Sequence, residues 1–252
     1  MVRGLDSFRE WFHGYEDRYV IIGGTACDLL MNDAGLEFRA TKDIDLVLII
    51  EAADAAFCRR FWDYVIDAGY EHRNKSTGGP EFYRFTDPKS KAHPAMIELF
   101  ARKPNRIELP ADAVLTPLPI DEEISSLSAI LLNNEYYEFL RHGTARVSGV
   151  TILDELHMIP FKAKAWMDLS DRKSSGEQVD SRNIRKHKND VFRLTELLEG
   201  DRERPAFLPQ SVRDDMKTFL ERAAAEEIDL KQLGIRGRTR HEILDQLKAI
   251  YG

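Results

Sequence analysis

The sequence predicts a mixed α/β or α+β layer domain over its first 150 or so residues and an all-helical part from about Leu156 to the end. Two observations carry this. Short apolar runs of β type alternate with helix-spaced stretches up to Leu153, and beyond it the helical period alone persists. No internal repeat and no low-complexity stretch blurs the division, which we place at 1–155 and 156–252.

Tyr19-Val-Ile-Ile22 reads as a buried strand ended by Gly23-Gly24, and a helix is expected over Thr25 to Asp33 with Gly35 as its stop. Asp43 to Ile50 is a second strand. Phe57 to Ala68 has helical spacing, with Phe61, Tyr64 and Val65 on one side and Gly69 at its end. Glu81 to Thr86 and Met96 to Phe100 look like paired strands joined through the Pro88 to Pro94 turn region. Strand-like runs follow at Leu127 to Leu132 and Val147 to Leu153, on either side of a short helix around Tyr136 to Leu140.

In the C-terminal part, Pro160 suits the first turn of a helix running to about Leu169, and Ser174-Ser175-Gly176 is a loop. A second helix is expected over Arg182 to Leu198, where Ile184, Val191, Leu194 and Leu198 form one stripe. Pro205 and Pro209 break the chain. A third helix covers Ser211 to Glu226, and a last one starts at Thr239 with the capping box Thr239-x-x-Glu242.

No window holds the roughly 18 consecutive apolar residues of a membrane span, and the N-terminal stretch lacks the apolar core of a signal peptide. A cytoplasmic protein is expected. Cys27 and Cys58 stand apart from any C-x-x-C pattern and read as small buried apolar residues. The 36 Lys and Arg against 43 Asp and Glu, net charge −7, argue against a broad grip on nucleic-acid phosphates. A local basic groove stays open, because residues 161–193 hold nine basic side chains against five acidic ones; on its own such a stretch is a solvated helix surface.

Three elements carry chemistry. Gly23-Gly24-Thr25 lies where a strand gives way to a helix, so its amides, the helix dipole and the Thr25 hydroxyl can hold a phosphate. Neither Walker nor dinucleotide-fold glycine spacing is present. In Arg39-Ala-Thr41-Lys-Asp43-Ile44-Asp45-Leu46 the strand alternation puts Asp43 and Asp45 on one side, about 7 Å apart along the strand. Parallel carboxylates beside a phosphate-binding turn are what a Mg²⁺ pair needs. Glu98, a single acid in the apolar run Met96-Ile97-Glu98-Leu99-Phe100, is costly to bury unpaired. It either faces solvent on an edge strand or joins a metal site, and a strand beside Asp43 to Ile50 would add it to the two aspartates.

The order strand, Gly-Gly-Thr, helix, then Arg39-x-Thr41-x-Asp43-Ile44-Asp45-Leu46, then an acid in a later apolar strand resembles the polymerase-beta-like nucleotidyltransferase superfamily. Within it the chain looks most like the AbiEii-type nucleotidyltransferase toxins of abortive-infection and toxin–antitoxin systems. Thr25 stands where serine is usual and Glu98 where aspartate is commoner. Ile159-Pro-Phe-Lys162-Ala-Lys164-Ala165 is similar to the family's lysine-bearing helix, and the segment Lys186 to Leu194, with Asp190, to its last motif.

The resemblance implies an α+β nucleotidyltransferase fold, a mixed sheet with flanking helices, followed by a helical domain, with NTP in the cleft between them. Asp43 and Asp45 would hold Mg²⁺, and Glu98 would complete the second metal site. Gly23, Gly24, Thr25, Arg39, Thr41, Lys162 or Lys164, and Asp190 would bind the nucleotide. It further implies an RNA acceptor such as the 3′ end of tRNA and a restraining antitoxin protein. A non-catalytic nucleotide-binding module and a kinase-like transfer from the same residues are the alternatives.

Overall fold

The computed structural model describes residues 2–49, 54–71, 84–100, 130, 133–198 and 204–252. It is a mixed α and β structure, and its chain divides into two compact units, Met1–Pro119 with Ala145–Leu153 and Ile120–Thr144 with Asp154–Gly252.

The first unit contains helix α1 (Leu5–Trp11), β1 (Tyr19–Ile22), α2 (Gly23–Asp33), β2 (Asp43–Leu48), α3 (Ala55–Ala68), β3 (Arg84–Thr86) and β4 (Met96–Phe100). A hairpin of β5 (Thr144–Val147) and β6 (Val150–Leu153) completes an open mixed sheet in the order β3-β4-β2-β1-β6-β5. β2 runs antiparallel to β1 and parallel to β4, and β3 is antiparallel to β4. All four residues of β1 are buried, as its unbroken apolar run requires of a central strand. Against the sheet pack the rings of Phe8, Phe12, Phe57, Phe61 and Tyr64, with Phe12 and Tyr64 centroids 5.3 Å apart.

Most sequence expectations for this unit match within a residue or two. One differs. Val147 to Leu153 reads as a single strand, yet Ser148 and Gly149, both at positive φ (51° and 79°), fold it into a two-residue hairpin turn. That is the backbone that glycine permits and that matches the right-handed strand twist. Residues 81–83, and Leu127 to Leu132 apart from Ile130, lie outside the described residues.

The second unit contains α4 (Asn134–His142), α5 (Glu155–Ser174), α6 (Ser181–Leu194) continued by a 3₁₀ turn (Thr195–Leu197), α7 (Gln210–Ala224) and α8 (Arg240–Tyr251). The Thr239–Glu242 capping box is present with both reciprocal hydrogen bonds. Trp166 of α5 meets Phe219 of α7 edge-on at 5.4 Å, and Tyr136 of α4 meets Phe161 at 5.2 Å. No helix among the described residues is long and apolar enough to cross a membrane.

The start of α5 corrects the expected one. Asp154 caps the helix through the His157 amide at 2.9 Å, so Pro160 sits inside it rather than in its first turn. Proline lacks the N–H that would bond the carbonyl four residues back, which leaves the Leu156 oxygen without its helical partner. The buried Tyr251 hydroxyl donates to that oxygen at 2.7 Å. An unmet buried carbonyl costs about 1–3 kcal/mol. Tyr251→Phe is therefore expected to lower the unfolding free energy by about 1–2 kcal/mol, measured as a shifted urea midpoint with unchanged m-value.

Candidate active site

The site is built where the end of β1 meets the start of β2. β1 passes into α2 with no intervening loop: Ile22 is extended and Gly23, at φ +70°, is already the first helical residue. The residue before it, Ile22, supplies no side-chain cap, and the first turn of the helix holds no acid of its own. The register places Ile22 opposite Asp45, and the Asp45 carboxylate lies directly over Gly23: a Cβ there would stand 1.8 Å from Oδ2. At Gly24 a Cβ would meet Thr41 Oγ1 at 2.9 Å and Arg39 Nη2 at 3.3 Å. Both glycines are needed for close approach, and Gly23 for its backbone angle as well.

Thr25 plays a different part from the expected one. Its side chain is fully buried and its hydroxyl donates to the Asp43 backbone carbonyl at 2.5 Å. It pins α2 to the first residue of β2 and does not extend the donor set towards a phosphate.

Along β2, Asp43 and Asp45 are both half-buried while Ile44 between them is buried, the expected alternation. In the parallel register with β4, Asp45 is opposite Glu98 and Asp43 opposite Met96. The sheet thus sets Glu98 beside Asp45 and leaves Asp43 one step further along the strand. Glu98 is neither on an edge strand nor solvated, since β4 lies between β3 and β2 and the residue is 8% exposed. The sequence reading missed its partner. Arg84, opposite Glu98 in the antiparallel β3–β4 register, brings both Nε and Nη2 to 2.8 Å from Glu98 Oε1. Only the register could have signalled this, because the two lie 14 residues apart.

Burial pushes the Glu98 carboxyl up to about 8, the adjacent Asp45 charge adds to the push, and Arg84 opposes it. Glu98 is also hydrogen-bonded to Asp45. Among the described residues no three His, Cys, Asp or Glu side chains converge as a ready-made metal cluster. The Asp45–Glu98 pair nevertheless fits a hard divalent cation: it offers oxygen donors from two adjacent strands, and a positive charge there would relieve two crowded acids.

No protein-family profile, no curated protein and no solved structure matches the chain.

The residues predicted from the helical unit have partners within that unit. Lys162 and Asp190 are both buried and form an ion pair at 3.2 Å between α5 and α6, with Arg193 at 3.8 Å from the same aspartate. Lys164 bonds Asp215 at 2.7 Å, and Tyr136 donates to that aspartate at 3.0 Å. The basic stretch 161–193 is also largely answered from within: Arg172 by Glu177, Arg182 by Asp180 and Lys188 by Glu226. Several of its basic side chains are thus engaged with acids, in keeping with the solvated helix surface that the stretch suggests on its own.

Gly23→Ala is expected to destabilise the protein by about 2 kcal/mol or more, since it combines a left-handed backbone with a collision against Asp45. Thermal unfolding of the variant beside Gly35→Ala, where a Cβ meets nothing within 4 Å, separates the two contributions.

Proposed function

We propose that the chain is a Mg²⁺-dependent nucleotidyltransferase of the polymerase-beta-like kind, moving a nucleotidyl group from an NTP to an acceptor hydroxyl. The observation that supports this best is the contact between a glycine helix start and a strand-borne acid, with the Asp45 carboxylate lying against Gly23. Phosphate-holding amides and cation-holding carboxylates are thereby adjacent, which is the requirement for placing a charged triphosphate beside its metal.

In this reading the amides at Gly23 and Gly24 bind triphosphate oxygens, and Arg39 and Thr41, packed over Gly24, flank them. Thr25 holds the Asp43 backbone in place. Asp43 and Asp45 would hold Mg²⁺, joined by Glu98. The cation would supply neutralisation of the triphosphate and a lowered barrier to ionising the acceptor hydroxyl. The acceptor oxygen forms a bond to the α-phosphorus, the bond from that phosphorus to the bridging oxygen breaks, and pyrophosphate leaves. Glu98, as the carboxylate, takes the acceptor's proton. Most of the acceleration would be positioning and charge neutralisation. Lys162, Lys164 and Asp190 enter as the scaffold of the helical unit, because each is committed to an opposite charge there.

The resemblance to AbiEii-type toxins extends the proposal to an RNA acceptor, such as the 3′ end of tRNA, and to a restraining antitoxin. The deciding experiment incubates the protein with each α-labelled NTP, Mg²⁺ and total cell RNA. Label in an RNA band is expected, and γ-labelled NTP should leave that band unlabelled. Asp45→Asn should remove transfer by at least about a hundredfold while leaving the circular dichroism spectrum unchanged. Expression of the wild-type chain alone is expected to slow bacterial growth, and Asp43→Asn to relieve it; growth curves with matched protein levels check this.

A further inference from the structure

The Arg84–Glu98–Asp45 row carries an inference about how the site acquires its cation, and it rests on the metal-holding reading proposed above. Three facts define the row. The guanidinium brings two donors to one carboxylate oxygen, Glu98 Oε1, at 2.8 Å each. Glu98 in turn hydrogen-bonds Asp45. The three residues occupy directly opposed register positions on β3, β4 and β2, so the backbone of the sheet fixes their spacing. The Glu98 side chain is 11% exposed and that of Arg84 26%, so water screens the pair only in part.

We propose that Arg84 is the resident counter-cation of this site: it holds Glu98 Oε1 before any divalent ion binds, and so makes cation loading depend on the nucleotide. The reasoning is electrostatic and geometric. A guanidinium bound to a ligand carboxylate opposes a second positive charge nearby, and it occupies an oxygen that a cation would otherwise use. With Glu98 so engaged, the site offers Mg²⁺ fewer carboxylate oxygens. Mg²⁺ binds poorly to one or two carboxylates alone and well when phosphate oxygens complete its shell. The free protein should therefore bind the ion weakly, and the triphosphate should bring it in. Arg84 acts through Glu98 and is a positioning residue, not a catalytic one.

The test uses the full chain and Mn²⁺, which takes the same oxygen donors, with free ion followed by electron paramagnetic resonance. Titrations are run without nucleotide and with α,β-methylene ATP. Wild type is expected to bind Mn²⁺ weakly alone and at least about tenfold more tightly with the analogue. Arg84→Gln should bind nucleotide-free Mn²⁺ about tenfold more tightly than wild type and lose most of the gain on adding the analogue. Arg84→Lys, which keeps the charge but not the two-donor fork, should lie between them and guards against a folding defect in the glutamine variant. Arg84→Gln combined with Glu98→Gln should return to weak binding. Equal nucleotide-free affinity in wild type, Arg84→Gln and Arg84→Lys overturns the role of Arg84 while leaving the cation site standing. Absence of Mn²⁺ binding in every variant, with and without the analogue, overturns the cation site itself and this inference with it.

Discussion

Two acids side by side in the interior of a sheet set the terms for everything around them. The parallel register of β2 and β4 leaves Asp45 and Glu98 no choice but to be neighbours, and a buried carboxyl beside a half-buried one carries charge only with help. The surroundings supply that help from two directions: a guanidinium from β3 and the start of α2 beside Asp45. Each is positive in character, and each is delivered by a backbone element next to β2 or β4. The corner is therefore electrostatically prepared for a ligand that is itself a mixture of anion and cation.

The helical unit follows a different logic. Its buried pair, Lys162 with Asp190, is matched within the unit, so what it contributes is a defined way for α5 and α6 to pack. Removing one partner from such a pair strands a charge in low dielectric, a far larger effect than the pair's own net worth. The contrast between the units is informative. In the sheet, acids crowd together around one arginine; in the helices, the buried Lys162 and Asp190 answer each other.

The amino-acid pattern made the strands, the main helices and the capping box readable, because they depend on local periodicity and on side chains that bond within three or four residues. The juxtaposition of Gly23-Gly24 with Asp43 and Asp45 was readable for the same reason, since one short antiparallel pairing creates it. What stayed hidden depended on register or on distant partners. Arg84 reaches Glu98 only because β3 and β4 align as they do. The internal position of Pro160 in α5 is tolerated through Tyr251, a residue 95 positions from the carbonyl it bonds. The Thr25 hydroxyl, expected to reach outward, points at a backbone oxygen that no local rule would select. Ser148-Gly149 was a signal present in the sequence and outweighed by the apolar run around it.

The direct passage from β1 into α2 has a consequence for how this chain can vary. With no loop between strand and helix, the length of the segment from Ile22 to Thr25 has no slack. One inserted residue would turn every following position of the helix by about 100°, carrying Thr25 off the Asp43 carbonyl and Gly24 away from Thr41 together. Sequence drift at this junction is thus confined to substitution. A related chain that differed here in length would have had to rebuild the whole corner, so the spacing itself, more than any single residue in it, marks common descent of the site.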